Sequence, residues 1–303
     1  MKVKILGVIF IVIIFIAGCD EKIAIKQNNV SMPETETQIV EAKADDNVLS
    51  NNTTNIDGTT LPETINKVVE VQSTPTPEIH SNKSKDGYTK LLEGKVICID
   101  AGHGNPNHTV ENEPIAPSSE ILKPATAYGT TGISTKIPEY KLTMAVSLKI
   151  RDQLISQGAT VVMTRESNDV DLGNIERSEI ANKISSDIAV RIHADGFDNS
   201  SVAGISVLYP GSKYISDAEL LRKSKVSAQL TLDELVKSTK GKSRDIVERD
   251  DLTGFNWSRV PVILVEMGFM TNPLEDERLN TEEYQNKIAE GIVSGLKRYF
   301  ESL

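Results

Sequence analysis

Hydrophobic and polar positions divide this chain into three unlike stretches. Ile5 to Ala17 is an almost unbroken apolar run behind Lys2 and Lys4. Asp20 to about Lys90 is polar almost throughout, rich in Asn, Thr, Glu, Asp, Ser and Pro. From about Leu91 the pattern becomes periodic. Short β-branched runs predict strands at 95–100, 160–164, 187–193, 204–209 and 260–266, and apolar repeats predict helices at 138–157, 174–184, 216–236 and 281–300. Leu142, Val146, Ile150 and Leu154 repeat at i+4, behind a proline suited to a first turn and ahead of Gly158, suited to an end. Strands alternating with helices predict an α/β domain over 91–303: three layers, with a largely parallel open sheet flanked by helices, preceded by a disordered tether. The interval from Gly211 to Lys240 is filled by one helix and leaves no room for an inserted inhibitory one.

As a helix, Ile5–Ala17 would span about 20 Å, short of the roughly 30 Å hydrocarbon core of a bilayer. Residues 1–18 therefore read as a signal peptide. Ile16-Ala17-Gly18-Cys19 resembles the lipobox of bacterial lipoproteins, whose cysteine is diacylated and becomes the first mature residue. The competing reading is an ordinary signal peptide, or a short anchor, with an incidental cysteine. The lipobox resemblance makes Cys19 the lipidation site and places the protein on the extracytoplasmic face of the cell membrane, where two acyl chains give stable anchoring. Residues 19–90 then form an acidic, polar tether, too poor in apolar surface to offset its chain entropy. His80 within it is expected to be solvated.

The chain has 303 residues, with 33 Lys plus Arg against 43 Asp plus Glu, a net charge of -10. That argues against a nucleic-acid partner, because phosphate affinity comes from clustered basic side chains. Two cysteines exclude a disulfide scaffold, and Cys98, inside an apolar run, is expected in the core. The chain is expected to act as a monomer.

Open parallel sheets bind ligands beyond the carboxyl ends of their strands. Three predicted strands end in His103, His193 and Glu266, in a chain with only four histidines. Two histidines and one carboxylate with an open position make a common catalytic zinc set, and a further carboxylate is needed to move the proton.

Five segments then recur in order: Ile99-Asp-Ala-Gly-His-Gly104, Pro138-Glu-Tyr-Lys-Leu142, Leu172-x3-Glu176-Arg177-x3-Ala181-Asn182, Val190-Arg-Ile-His-Ala-Asp195 and Pro261-Val-Ile-Leu-Val-Glu-Met-Gly-Phe-Met-Thr-Asn-Pro273. Together they resemble the zinc-dependent N-acetylmuramoyl-L-alanine amidases of the Amidase_3 family, over about Gly94 to Phe300. The resemblance implies hydrolysis of the amide joining N-acetylmuramic acid to L-alanine of the stem peptide in peptidoglycan. It implies one zinc ion per chain held by His103, Glu139 and His193, with Glu266 as the catalytic base. Glu139 has a plain alternative role, complementing the dipole of its helix, and Glu120 is the rival third ligand. Asp100 and Asp195 either orient the histidines or cap turns, Arg177 braces its helix, and His108 reads as a loop residue. Trp257 packs or lines a groove, and the long Asn105–Tyr128 segment is expected as a wall or lid beside the first ligand. A non-catalytic peptidoglycan-binding lipoprotein and a zinc carboxypeptidase acting on stem peptides are the competing functions.

Overall fold

The computed structural model describes residues 78–80, 90–104, 111–170 and 172–303, all within one compact unit, Val69–Leu303. The signal peptide, Cys19, most of the tether and His108 lie outside the described residues. Among those described, no helix is long and apolar enough to cross a membrane.

In chain order the elements are β1 (Ile79–His80), β2 (Val96–Ala101), β3 (Asn112–Pro114), β4 (Leu122–Pro124), α1 (Glu139–Ser156), β5 (Thr160–Met163), α2 (Asn174–Lys183), β6 (Ile188–Asp195), β7 (Ile205–Pro210), α3 (Ala218–Thr239), β8 (Ser243–Arg249), α4 (Thr253–Asn256), β9 (Val262–Phe269), α5 (Pro273–Leu279) and α6 (Glu282–Glu301). A seven-stranded sheet runs β1-β5-β2-β6-β9-β7-β8, and β3 and β4 form a separate hairpin. The centre, β5-β2-β6-β9, is parallel. The flanks are not: β7 lies antiparallel to β9, β8 follows β7 in parallel, and β1 lies antiparallel to β5. The sheet is therefore mixed and mostly parallel.

Strand alternation sorts the core into two layers, because successive side chains leave a strand on opposite faces. Ile97 and Ile99, Val190 and Ile192, and Ile263 and Val265 pack with Leu142, Ile150, Leu232, Ile292 and Leu296 of α1, α3 and α6. Cys98, Ala189, Leu208, Val262 and Leu264 face the other way, toward Ala181 of α2 and Phe255 of α4. Burial also pushes the Cys98 thiol far up, as befits a core residue. Close packing of α3 on α6 needs glycine: a Cβ on Gly295 would lie 2.4 Å from Thr231 Cα.

Four strands lacked a pattern in the sequence. β8, Ser-Arg-Asp-Ile-Val-Glu-Arg, is an edge strand mostly open to water, so no apolar alternation marks it. β3 and β4 are three residues each and carry prolines. β1 pairs through backbone alone, Ile79 with Val162 and His80 with Val161. His80 is accordingly not simply solvated: its Nε2 lies 2.7 Å from Glu166 Oε1, whose other oxygen accepts from Arg151 at 2.9 Å.

Candidate metal centre

His103 and Glu139 sit where a regular element ends or begins, whereas His193 and Glu266 lie within strands that run on past them, β6 to Asp195 and β9 to Phe269. His103 follows β2 with φ of 61°, in the left-handed region that a side chain adopts only at a cost. Buried arginines hold this turn: Arg165 donates to the carbonyls of Ala101 and Gly102, and Arg177 to those of Ala101 and His103. Glu139 is the first residue of α1, where an acidic side chain suits the helix dipole. It nevertheless turns inward and is 3 % exposed, accepting from the backbone N–H of Thr130 and of Ala194. His193 lies on β6, and its register partner on β9 is Glu266.

These elements bring three ligand-type atoms together. His103 Nε2 lies 3.0 Å from Glu139 Oε1, His193 Nδ1 lies 3.1 Å from His103 Nε2, and Glu139 Oε1 lies 3.3 Å from His193 Nδ1. A tetrahedral zinc site with bonds near 2.0–2.1 Å has ligand-to-ligand edges of about 3.3 Å, so the triangle has the size of one face of such a site. The nitrogens are assigned by their surroundings. His103 Nδ1 donates to the Ala127 carbonyl at 2.8 Å, which leaves Nε2 bare toward the cluster. His193 presents Nδ1, its Nε2 being buried without a partner. The position beside the His193 ring must be Gly102, since a Cβ there would stand 2.4 Å from Cε1.

Electrostatics match this use. Burial opposes ionisation of Glu139, but the two imidazoles hydrogen-bonded to it prevail and hold its carboxyl well below the ordinary range. Burial lowers His193 to about 4, so the ring is neutral at pH 7, as a ligand must be. Glu266 goes the other way: burial, then the carboxylates of Glu139 and Asp195, push it well above the usual carboxylate range. Glu266 Oε2 is buried with no hydrogen-bond partner. All four side chains line one groove of about 680 Å³.

Other expected roles sort themselves by contact. Glu120 is exposed and stands outside the cluster. Asp100 is committed to Arg177, Arg191 and the Thr164 hydroxyl, and Asp195 caps its own turn by accepting from Gly196 N–H, so the carbonyl of Ala127 does the orienting of an imidazole. Arg177 braces more than its own helix, because it bridges Asp100 to the His103 turn. Trp257 packs, donating from Nε1 to the Pro114 carbonyl. The Asn105–Tyr128 segment, described from residue 111, is a docked wall. Besides Trp257, Asn256 donates to the Ile115 carbonyl, Lys123 to that of Asp251, and Asn174 to that of Ala125. Arg165 and Arg191 had no assigned part in the sequence. Arg191, two residues before His193 on the same strand face, was the one with a visible signal.

A family model described as N-acetylmuramoyl-L-alanine amidase, Amidase_3, matches residues 97–298. The germination-specific N-acetylmuramoyl-L-alanine amidase of Bacillus subtilis is 27% identical over 237 residues, covering 74% of this chain and 87% of that protein. An N-acetylmuramoyl-L-alanine amidase of Mycobacterium tuberculosis is 30% identical over 212 residues, covering 68% of this chain and 86% of its own. The crystal structure of the amidase Ami1 from Mycobacterium smegmatis superposes with a TM-score of 0.62 at 28% identity, covering 70% of this chain and 99% of that one. With the match spanning the whole periodic part of the sequence and both walls of the groove, the chain belongs to the Amidase_3 family of N-acetylmuramoyl-L-alanine amidases.

Proposed function

We propose that this peptidoglycan amidase works with one zinc ion held by His103 Nε2, Glu139 Oε1 and His193 Nδ1, and with Glu266 as its general base. The observation that carries the reading is the triangle of three ligand atoms with edges of 3.0–3.3 Å, opening on a groove that Glu266 also lines. When bound, zinc supplies a Lewis acid that acidifies water and polarises the scissile carbonyl. Glu266 takes the proton of the attacking water on a carboxylate oxygen and returns it to the departing nitrogen of L-alanine. Its burial suits the second half of that task, because a raised carboxyl holds the proton until the nitrogen departs. Glu139, kept ionised, supplies the negative charge of the ligand set, and the Ala127 carbonyl keeps His103 in the required tautomer.

Digestion of purified cell wall with and without a chelator, followed by mass spectrometry, tests this. New L-alanine amino termini that vanish on chelation are expected. Loss of terminal D-alanine would indicate the carboxypeptidase instead, and no cleavage at all a binding protein. Glu266→Gln is expected to lower the rate by about 10²–10⁴-fold while zinc content stays the same. An unchanged rate would remove Glu266 from the mechanism.

As a cell-wall amidase the protein acts outside the cytoplasm. We further propose that residues 1–18 are cleaved, that Cys19 carries the lipid, and that the polar stretch within residues 19–90 that precedes β1 tethers a monomeric catalytic domain to the cell membrane, β1 itself being added to the edge of that domain's sheet. The support is the apolar leader ending in Ile-Ala-Gly-Cys and the polar stretch behind it. Cys19→Ser is expected to move the protein from the membrane to the soluble fraction.

A further inference from the structure

The groove does not end at the metal centre. It continues along the sheet face occupied by Leu264 of β9 and Leu208 of β7, and reaches Arg249 on β8 and Lys123 on β4. Strand register accounts for the arginine. Leu208 pairs with Val247, and Arg249 is two residues further along the same strand, so it shares that face.

The two cations are held by one residue. Arg249 donates through Nε and Nη2 to the Asp251 carboxylate at 2.6 and 2.8 Å, and Lys123 Nζ donates to the Asp251 carbonyl at 2.6 Å. Neither bond to Asp251 uses Nη1 of Arg249, and an ammonium has three donors. Two cations against one carboxylate leave a positive charge at this end. Toward the metal centre the groove is lined by the carboxyl groups of Glu139, Asp195, Asp198 and Glu266 instead. Arg191, also there, is already engaged by Asp100 and Asn174.

We propose that Arg249, helped by Lys123, reads a free carboxylate on the stem peptide just beyond L-alanine, and so fixes which way the substrate lies in the groove. The inference rests on the amidase reading above. The separation suits it. Opposite Glu266 stands Ser206, and opposite Arg249 stands Pro210, so the two side chains start four residues apart along the strands and two strands apart across them. That is roughly 13 Å by 10 Å between Cα atoms. The two side chains close much of this gap, leaving a span on the order of two extended residues, about 7 Å. The peptide arm then lies over β9, β7 and β8.

The test compares two synthetic muramyl peptides that differ only in a carboxylate or a carboxamide on the residue after L-alanine, using the zinc-loaded full chain in detergent. Charge-assisted hydrogen bonds predict that the wild type prefers the carboxylate by at least about tenfold in kcat/KM, expressed in KM, and that the preference shrinks at high salt. Arg249→Met is expected to bring the ratio within about twofold of one, Arg249→Lys to restore part of it, and Lys123→Met to lower it partway. No preference in the wild type, or a preference that survives in both methionine variants, overturns the proposal. Should Arg249→Met fail to fold by circular dichroism, an unchanged ratio in Lys123→Met overturns it and a lowered ratio supports it. Should neither peptide be cleaved, the amidase reading is what fails. Calorimetric titration with the two free stem peptides then decides this proposal, equal affinities refuting it.

Discussion

At the scale of single residues, the centre depends on where side chains are absent as much as on where they are present. Gly102 leaves the room that the His193 ring fills. Gly102→Ala is therefore expected to push the imidazole off its position and to lower zinc occupancy, measured by metal analysis of the folded protein, with activity falling in proportion. Asp100 works one step further out. Buried with Arg177 and Arg191, it fixes the base of the His103 turn. Asp100→Asn leaves two buried guanidinium groups without their counter-charge and is expected to cost about 3–5 kcal/mol in urea unfolding. Its pH signature follows from the sign of its shift. Burial works against ionisation, but Arg177 and Arg191 prevail, and the folded-state carboxyl titrates far below its unfolded value of about 3.9. Its contribution is thus present above about pH 4 and is lost as pH falls further. Denaturation between pH 6 and pH 3 should show that loss in the wild type and a weaker dependence in the asparagine variant.

At the scale of elements, helix α3 lies directly on α6, with backbone against backbone at Gly291 and Gly295. Gly295→Ala places a methyl group against Thr231 Cα, which belongs to a rigid helix. Such overpacking is expected to cost at least about 1–3 kcal/mol, read as a lower urea midpoint with an unchanged slope. The β3–β4 wall differs in kind. It buries few apolar side chains and is fastened by polar contacts to α2, α4 and the turn after β8. Through Ala127, the same segment also sets the tautomer of His103. Lengthening or shortening it therefore alters the metal centre as well as the groove.

At the scale of the whole molecule, the centre ties together the turn after β2, the start of α1 and the end of β6. A zinc ion bound only by the folded state adds about 4 kcal/mol when present at a thousand times its dissociation constant. For a domain of this size that corresponds to roughly 10 °C in Tm. Calorimetry with free zinc buffered at that excess and then with a chelator in excess of the zinc should show a fall of that order. An unchanged Tm would mean that the three side chains bind no ion of consequence to the fold.

The sequence by itself determined the elements whose patterns repeat: the β-branched strands of the parallel centre, the i+4 helices α1 and α6, and the order of the short motifs that carry the family. Those signals are local, because burial of one strand face or one helix stripe must be written into consecutive residues. It also singled out His103, His193 and Glu266 with the strands that carry them, although β6 and β9 run two and three residues further than expected. What only the tertiary structure decided were relations between distant segments. Glu139 turns inward from a helix start whose sequence reads equally well as a dipole partner. Asp100 serves two arginines rather than an imidazole, a backbone carbonyl orients His103, and β8 forms at a sheet edge from a charged stretch. Arg249 shares a groove with Glu266 because β7 and β8 run against β9. Each of these is settled by backbone hydrogen bonds or by charge pairing across the fold, and neither leaves a period in the sequence.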